Sequence, residues 1–225
     1  MIPNFLLKRF GEPITDKTTI SFECQQCGEC CQHRTNNPIT LTGYDLFRLA
    51  QFTKSETTLS LFEQDKVLLE CGDYENPLCF LATDVTGSCV FAENGSCSVH
   101  KAKPAVCALF PFGRIYSVLD GKYSYILPRG NICNGTGKGL SIPAKQWLSD
   151  ASIIEEESCY AAYEAAYSEI VLSLQKTKRC FRKSLFHFIF WALFCNYDIH
   201  QDYITQLELN TEALRPLLEE AKSKR

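Results

Sequence analysis

The sequence predicts an α+β fold, with a cysteine-rich core built on short antiparallel β-hairpins and a helical C-terminal region. Three observations carry that reading. Four thiols fall within eight residues at Cys24-Gln25-Gln26-Cys27-Gly28-Glu29-Cys30-Cys31. Alternating β-rich runs broken by Asn94-Gly95 and Asp120-Gly121 fill the middle of the chain. After Gly139 the pattern turns helical, with few glycines and long apolar stripes.

In chain order, residues 1–17 read as an apolar start followed by a polar turn, a short helix or extended arm. Thr18 to Glu23 alternates apolar and polar with β-branched residues, which predicts a strand delivering the first cysteine. Gly28 follows Cys27 where a metal-binding turn needs positive φ. Asn36-Asn37-Pro38 is a loop. Thr42 is placed to cap a helix running to about Phe52, with Asp45 in its first turn and Leu46, Leu49 and Ala50 as its apolar stripe. A second helix is expected from roughly Thr58 to Glu70, on Leu59, Phe62, Val67 and Leu69.

Cysteines return at Cys79, Cys89, Cys97 and Cys107. The turns at Asp84-Val85-Thr86-Gly87-Ser88 and Glu93-Asn94-Gly95-Ser96 predict short strands bringing Cys89 and Cys97 to the same end of a hairpin. Arg114–Leu119 and Lys122–Leu127 flank Asp120-Gly121, a type I′ hairpin signal. Residues 131–139 then read as a glycine-rich cysteine loop. Ser141 is placed to cap a helical region from about Ala144 to Lys176, interrupted in places, with Pro143 in its first turn. Arg179 to Asn196 predicts a helix apolar on almost every face, hence buried and central, and Thr211 to Lys222 a last helix weakened by Pro216. Residues 1–140 form a cysteine-cluster region and 141–225 a helical region packed on it, one compact unit, because the apolar helix at 185–195 needs a cover.

Composition narrows the function classes. The chain has 225 residues, thirteen cysteines and a net charge of -3 with interspersed signs. That charge leaves no electrostatic footprint for nucleic acid. Leu185–Cys195, the longest apolar run, falls short of the ~20 residues that span a bilayer, so no membrane partner is expected. The cysteine count is odd and the first ten residues lack signal-peptide character, which predicts a cytoplasmic protein with reduced thiols.

Thiols this dense in a reducing compartment point to metal or iron–sulfur ligation. Cys24, Cys27 and Cys30 keep the C-x2-C-x2-C spacing of bacterial ferredoxins, whose fourth cysteine follows three residues later and precedes proline. Here Cys31 follows at once, so the stretch is half a site, and adjacent cysteines of this kind usually point apart. Cys24 and Cys27 with Cys89 and Cys97 or Cys107 would equally make a closed tetrahedral zinc site. An iron–sulfur cluster is the preferred cofactor and Zn2+ the alternative. Cys159, Cys180 and Cys195 fit buried small hydrophobes on helices. His33, His187 and His200 are scattered, with His187 read as a core histidine; His100, three residues after Cys97, alone is placed to ligate or to donate to a ligand.

CQQCGECC, Cys89-Val-Phe, Gly95-Ser-Cys97-Ser-Val-His100, Lys103-Pro104-x2-Cys107, Phe110-Pro111-Phe112 and Cys133-x-Gly-x-Gly-Lys-Gly139 together resemble the YkgJ-like CxxCxxCC cysteine-cluster family, a zinc- or iron-chelating domain. The resemblance covers about residues 20–140. It implies metal binding and the ligand set Cys24, Cys27, Cys30, Cys31, Cys89, Cys97, Cys107 and Cys133. His100 stands where the family usually has an aromatic residue, Lys103 where it has arginine, and Ala108 where arginine is frequent. Cys79 is additional to the family pattern, as is Cys71.

The family label also touches the flagellin lysine N-methylases, which use S-adenosylmethionine; no independent methyl-donor signature accompanies it here. Gly135, Gly137 and Gly139 follow a cysteine loop instead of a βαβ strand, so they are read as letting the backbone pass close to the cluster, not as a nucleotide cradle. Two classes stand side by side. One is a metalloprotein transferring electrons, sensing redox state or handling metal. The other is an enzyme, a protein-modifying methylase relative or an iron-dependent oxidoreductase, acting on a protein partner or other substrate. A structural-zinc interaction module is the third reading.

Overall fold

The computed structural model describes residues 7–32, 37–129, 133–150 and 154–223. His33, Asn36, Asn131 and Ile132, and the first six residues of the expected arm, lie outside the described residues. The strands are β1 (Glu12–Pro13), β2 (Thr19–Phe22), β3 (Thr40–Leu41), β4 (Val67–Cys71), β5 (Pro77–Leu81), β6 (Ala92–Glu93), β7 (Ser96–Cys97), β8 (Gly113–Ser117), β9 (Lys122–Leu127) and β10 (Thr136–Pro143). The helices are α1 (Gly43–Thr53), α2 (Ser60–Glu63), α3 (Ala105–Ala108), α4 (Ala144–Asp150), α5 (Glu157–Gln175), α6 (Arg179–Phe190) and α7 (Tyr203–Ser223). The strand pairings are antiparallel and the helices are largely segregated from the sheets, so the fold is α+β. Among the described residues no helix is long and apolar enough to cross a membrane.

The chain divides into two units, residues 1–32 with 91–161, and residues 33–90 with 162–225. In the first, β2 forms as its alternation predicts and pairs with β10 through Ile20↔Ile142 and Ser21↔Ser141. Residues 136–143 are therefore a strand where a glycine loop was expected. The register shifts between Thr136 and Ser141, and Gly137 and Gly139 take positive φ of 79° and 76° in that irregular stretch. Beneath the pair lies a core of Ile20, Ala108, Leu109, Phe112, Ala144 and Leu148. Trp147 meets Phe112 edge-on at 5.3 Å and Phe22 at 6.3 Å, and Phe22 meets Phe110 at 5.6 Å.

A second sheet runs in the order β1-β9-β8. The two-residue Asp120-Gly121 turn does not form. Ser117 pairs with Lys122, leaving Val118 to Gly121 as a four-residue tip with Gly121 at φ 66°. This register sets Tyr116 opposite Tyr123, edge to face at 5.3 Å, and lays the Arg114 guanidinium over the rings of Tyr123 at 4.4 Å and Tyr160 at 4.2 Å. Those contacts outweigh the local turn preference, at the expense of an exposed Leu119.

In the second unit, Thr42 caps α1. Its Oγ1 accepts from the Asp45 N–H at 3.1 Å, and the Asp45 carboxylate accepts from the Thr42 N–H at 2.9 Å, a complete capping box. The helix expected over 58–70 is only α2. Asp65 turns to φ 53°, and residues 67–71 pair as β4 with β5 from Val67↔Leu81 to Cys71↔Pro77, in a sheet ordered β3-β5-β4. Long-range pairing of a Val-Leu-Leu run wins over a weak helical period.

Helix α6 ends in a π-helical turn, Trp191–Cys195. Leu185, Ile189 and Ala192 to Cys195 are buried, but Phe188 is 55 % and Trp191 50 % exposed. Arg179, Arg182, Lys183 and His187 share its turns, so α6 lies at the surface of its unit with one buried face, and is not a wholly buried helix. His187 is exposed, not a core residue. The last helix, α7, begins eight residues earlier than expected and runs through Pro216. The Asp202 carboxylate accepts from the Thr205 N–H at 2.8 Å and opens it.

Candidate metal centre

Three segments of the first unit meet around the cysteine stretch. The first is the loop Cys24–Cys31 itself, which leaves β2 and closes in a 3-10 turn over Glu29–Cys31. Gln26 and Gly28 both take positive φ, 49° and 73°, which gives the loop its tight turns between Cys24 and Cys30. Glycine is required at position 28 twice over, by its φ and by its neighbour: a Cβ there would stand 2.9 Å from the Gly95 carbonyl oxygen.

Gly95 belongs to the second segment, the β6–β7 hairpin. Asn94 and Gly95 take φ 51° and 78° and form its two-residue turn, with Ala92 opposite Cys97. Cys97 is half-buried. Burial pushes its thiol up, the Val99 N–H donated to its sulfur and the nearby Lys103 ammonium act the other way, and the Cys30 and Cys24 thiols lie close enough to raise it further. Cys24 and Cys30 thus lie within electrostatic range of Cys97, although the last is far along the chain. Burial, then Lys103, holds the His100 imidazole below its ordinary range; the residue is exposed on the 3-10 turn His100–Ala102.

The third segment is Cys133–Gly135. The Glu23 N–H donates to the Gly135 carbonyl at 3.2 Å, the Gly135 N–H donates to Cys133 Sγ at 3.4 Å, and Asn134 Nδ2 donates to Glu29 Oε1 at 2.8 Å. A Cβ on Gly135 would collide with the Glu23 carbonyl oxygen, so this glycine lets the backbone pass beside Cys24. The Glu29–Asn134 contact was not legible beforehand; only the placement of Asn134 directly after Cys133 hints at it.

Each expected ligand can be located. Cys24, Cys27 and Cys30 are exposed, and Cys31, Cys97, Cys107 and Cys133 are half-buried; all seven belong to the first unit. Cys107 sits on α3 beside the buried Ala108. Cys30 and Cys31 do not diverge: their sulfurs approach to 3.9 Å within the 3-10 turn. Cys89 belongs to the second unit, where it is buried and bridges Thr83. It lies outside the Ala92–Cys97 hairpin, so the expected pairing of Cys89 with Cys97 at one hairpin end is replaced by Ala92 opposite Cys97.

No disulfide joins any of the thirteen cysteines. Cys79 on β5 and Cys195 in the π turn are core thiols whose titration burial pushes up, Cys195 to about 12. Cys180, expected to be buried, is exposed near the start of α6.

Among the described residues, no three His, Cys, Asp or Glu side chains stand together closely enough to hold a metal ion as they are arranged. The donor set nevertheless fits a thiophilic centre. Four thiols share the Cys24–Cys31 loop, and the sulfurs of Cys97 and Cys133 accept backbone N–H groups, the kind of support that thiolate ligands use.

A thiol-bearing loop, a hairpin and a return segment gathered in this way define a cysteine-cluster chelating domain. Residues 23–134 match the model of the CxxCxxCC family, described as a "putative zinc- or iron-chelating domain", and the chain belongs to that family. No curated protein and no solved structure matches the chain.

Proposed function

We propose that this chain holds an iron–sulfur cluster through cysteine thiolates at an accessible site and uses it in redox or metal handling. The observation that carries the reading is the set of seven candidate ligand thiols that the first unit supplies, three of them exposed on the Cys24–Cys30 loop. Cys24, Cys27 and Cys30 keep the C-x2-C-x2-C spacing with which thiolates wrap an iron–sulfur cluster. Cys24, Cys30 and Cys97 would be the first ligands, with Cys27, Cys31, Cys107 and Cys133 supplying the remainder from the same unit.

When bound, such a cluster supplies a one-electron couple whose potential depends on hydrogen bonds to sulfur and on solvent exposure. The chain's own residues tune both. The Val99 and Gly135 N–H groups donate to Cys97 and Cys133, Lys103 places positive charge near Cys97, and the exposure of Cys24, Cys27 and Cys30 leaves the centre open to a partner.

Anaerobic purification with iron, acid-labile sulfide and zinc analysis, together with the visible absorption spectrum, tests the proposal. Iron and sulfide in stoichiometric amounts are expected. Colourless protein carrying one equivalent of zinc and neither iron nor sulfide would replace the cluster with a zinc site.

A further inference from the structure

Away from the cysteine cluster, a cavity of about 300 Å³ in the second unit is lined by Cys71, Glu75, Arg179, Lys183, Phe186 and His187. Its basic wall is one face of α6, because Arg179, Lys183 and His187 follow one another at four-residue intervals. Facing them are Cys71, the exposed last residue of β4, and Glu75 in the turn that follows. Glu75 is 7 % exposed. Its Oε1 accepts from Arg179 Nε at 2.6 Å, and its Oε2 lies 3.6 Å from Arg182 Nη1, an ion pair too long to be a hydrogen bond. Among the described residues that buried oxygen has no hydrogen-bond donor; its partner is the Arg182 cation, and the carboxylate's part at the cavity is to hold Arg179 in place.

The cavity therefore presents the Arg179 and Lys183 cations for a carboxylate, beside an accessible thiol within the electrostatic range of Arg179. We propose that Cys71 is a mixed-disulfide site for low-molecular-weight disulfides of the amino-acid or peptide kind, seated through their carboxylates by Lys183, Arg179 and His187. Cys71 gives its proton to water and its sulfur attacks one sulfur of the incoming disulfide. A bond forms between Cys71 and that sulfur, the original S–S bond breaks, and the other half leaves as a thiolate that takes up a proton. Cys71 is oxidised and half of the incoming disulfide is reduced. Bulk alone would not select such a reagent, whereas Arg179 and Lys183 outnumber the Glu75 carboxylate in the lining, and that positive balance concentrates the reagent's anionic form.

The full reduced chain is exposed in parallel to glutathione disulfide, neutral hydroxyethyl disulfide and cationic cystamine, and labelling is resolved by peptide mass mapping. Cys180, exposed on α6 but not lining the cavity, is the internal reference. The rate at Cys71 relative to Cys180 is expected to be roughly tenfold higher with glutathione disulfide than with the neutral reagent, and lowest with cystamine. Lys183→Ala combined with His187→Gln lowers the glutathione rate at Cys71 several-fold and leaves the neutral rate unchanged. Equal Cys71-to-Cys180 ratios for all three reagents, or a glutathione preference that survives the double substitution, overturns the proposal.

Discussion

Gly28 and Gly95 face one another asymmetrically: a Cβ on Gly28 would stand 2.9 Å from the Gly95 carbonyl oxygen, whereas a Cβ on Gly95 would meet nothing within 4 Å. Both residues occupy the left-handed region, so alanine at either costs about 1–2 kcal/mol of backbone strain. Only Gly28→Ala also pushes the cysteine loop off the hairpin that carries Cys97. Metal bound per folded molecule is expected to fall several-fold in Gly28→Ala and to stay near wild type in Gly95→Ala. Equal metal loss in the two variants would show that strain, not the approach of loop to hairpin, controls the site.

The Arg114 guanidinium lies between the Tyr123 and Tyr160 rings. Arg114→Met keeps the aliphatic stem and removes the charge, so the unfolding free energy should drop by about 1–3 kcal/mol. Arg114→Lys restores charge without the planar surface and recovers only part of it. Urea unfolding of the three proteins measures the series. Metal content per folded molecule is expected to be unchanged, since this cluster supports the β8–β9 hairpin.

What was legible in advance was local. The β2 strand, the Thr42 cap and the Asn94-Gly95 turn are decided by neighbours within a few residues, and each formed where the pattern put it. The misreadings share the opposite cause. Residues 67–71 became a strand because β5 was available to pair with them. Gly135 to Gly139 were drawn beside Glu23 by β2, and the Asp120-Gly121 turn yielded to aromatic contacts across the sheet. For the candidate site, spacing singled out the thiols, while the neighbourhood of Cys97 with Cys24 and Cys30 depends on strand pairing that no local pattern encodes.

Thr42→Ala separates stability from chelation in the other direction. It removes the side chain that accepts from Asp45 and strips that carboxylate of the Thr42 hydroxyl at 2.8 Å, which should cost about 0.5–2 kcal/mol. Because α1 belongs to the second unit, a lower denaturation midpoint with unchanged metal stoichiometry is expected. Loss of metal on this substitution would tie the centre to that unit's integrity.

Burial raises the Cys195 thiol from an ordinary value of 9.0 to about 12, and Cys79 is raised by burial and then by Cys195. A group whose folded value is raised holds its proton longer in the native state than in the unfolded chain. Its contribution to stability is complete below pH 9.0 and is lost as pH climbs toward about 12. The buried tyrosines Tyr163 and Tyr197, also raised mainly by burial, act with the same sign. Urea midpoints should therefore decline on the alkaline side of neutrality, and Cys195→Ala should make that decline shallower while costing some stability at neutral pH through its smaller side chain. Iodoacetamide mapping of the native protein supplies an independent check. Cys71 and Cys180 should be alkylated readily, and Cys79 and Cys195 only after unfolding. A midpoint curve identical in slope for wild type and Cys195→Ala would mean that the buried thiol does not govern the alkaline limit.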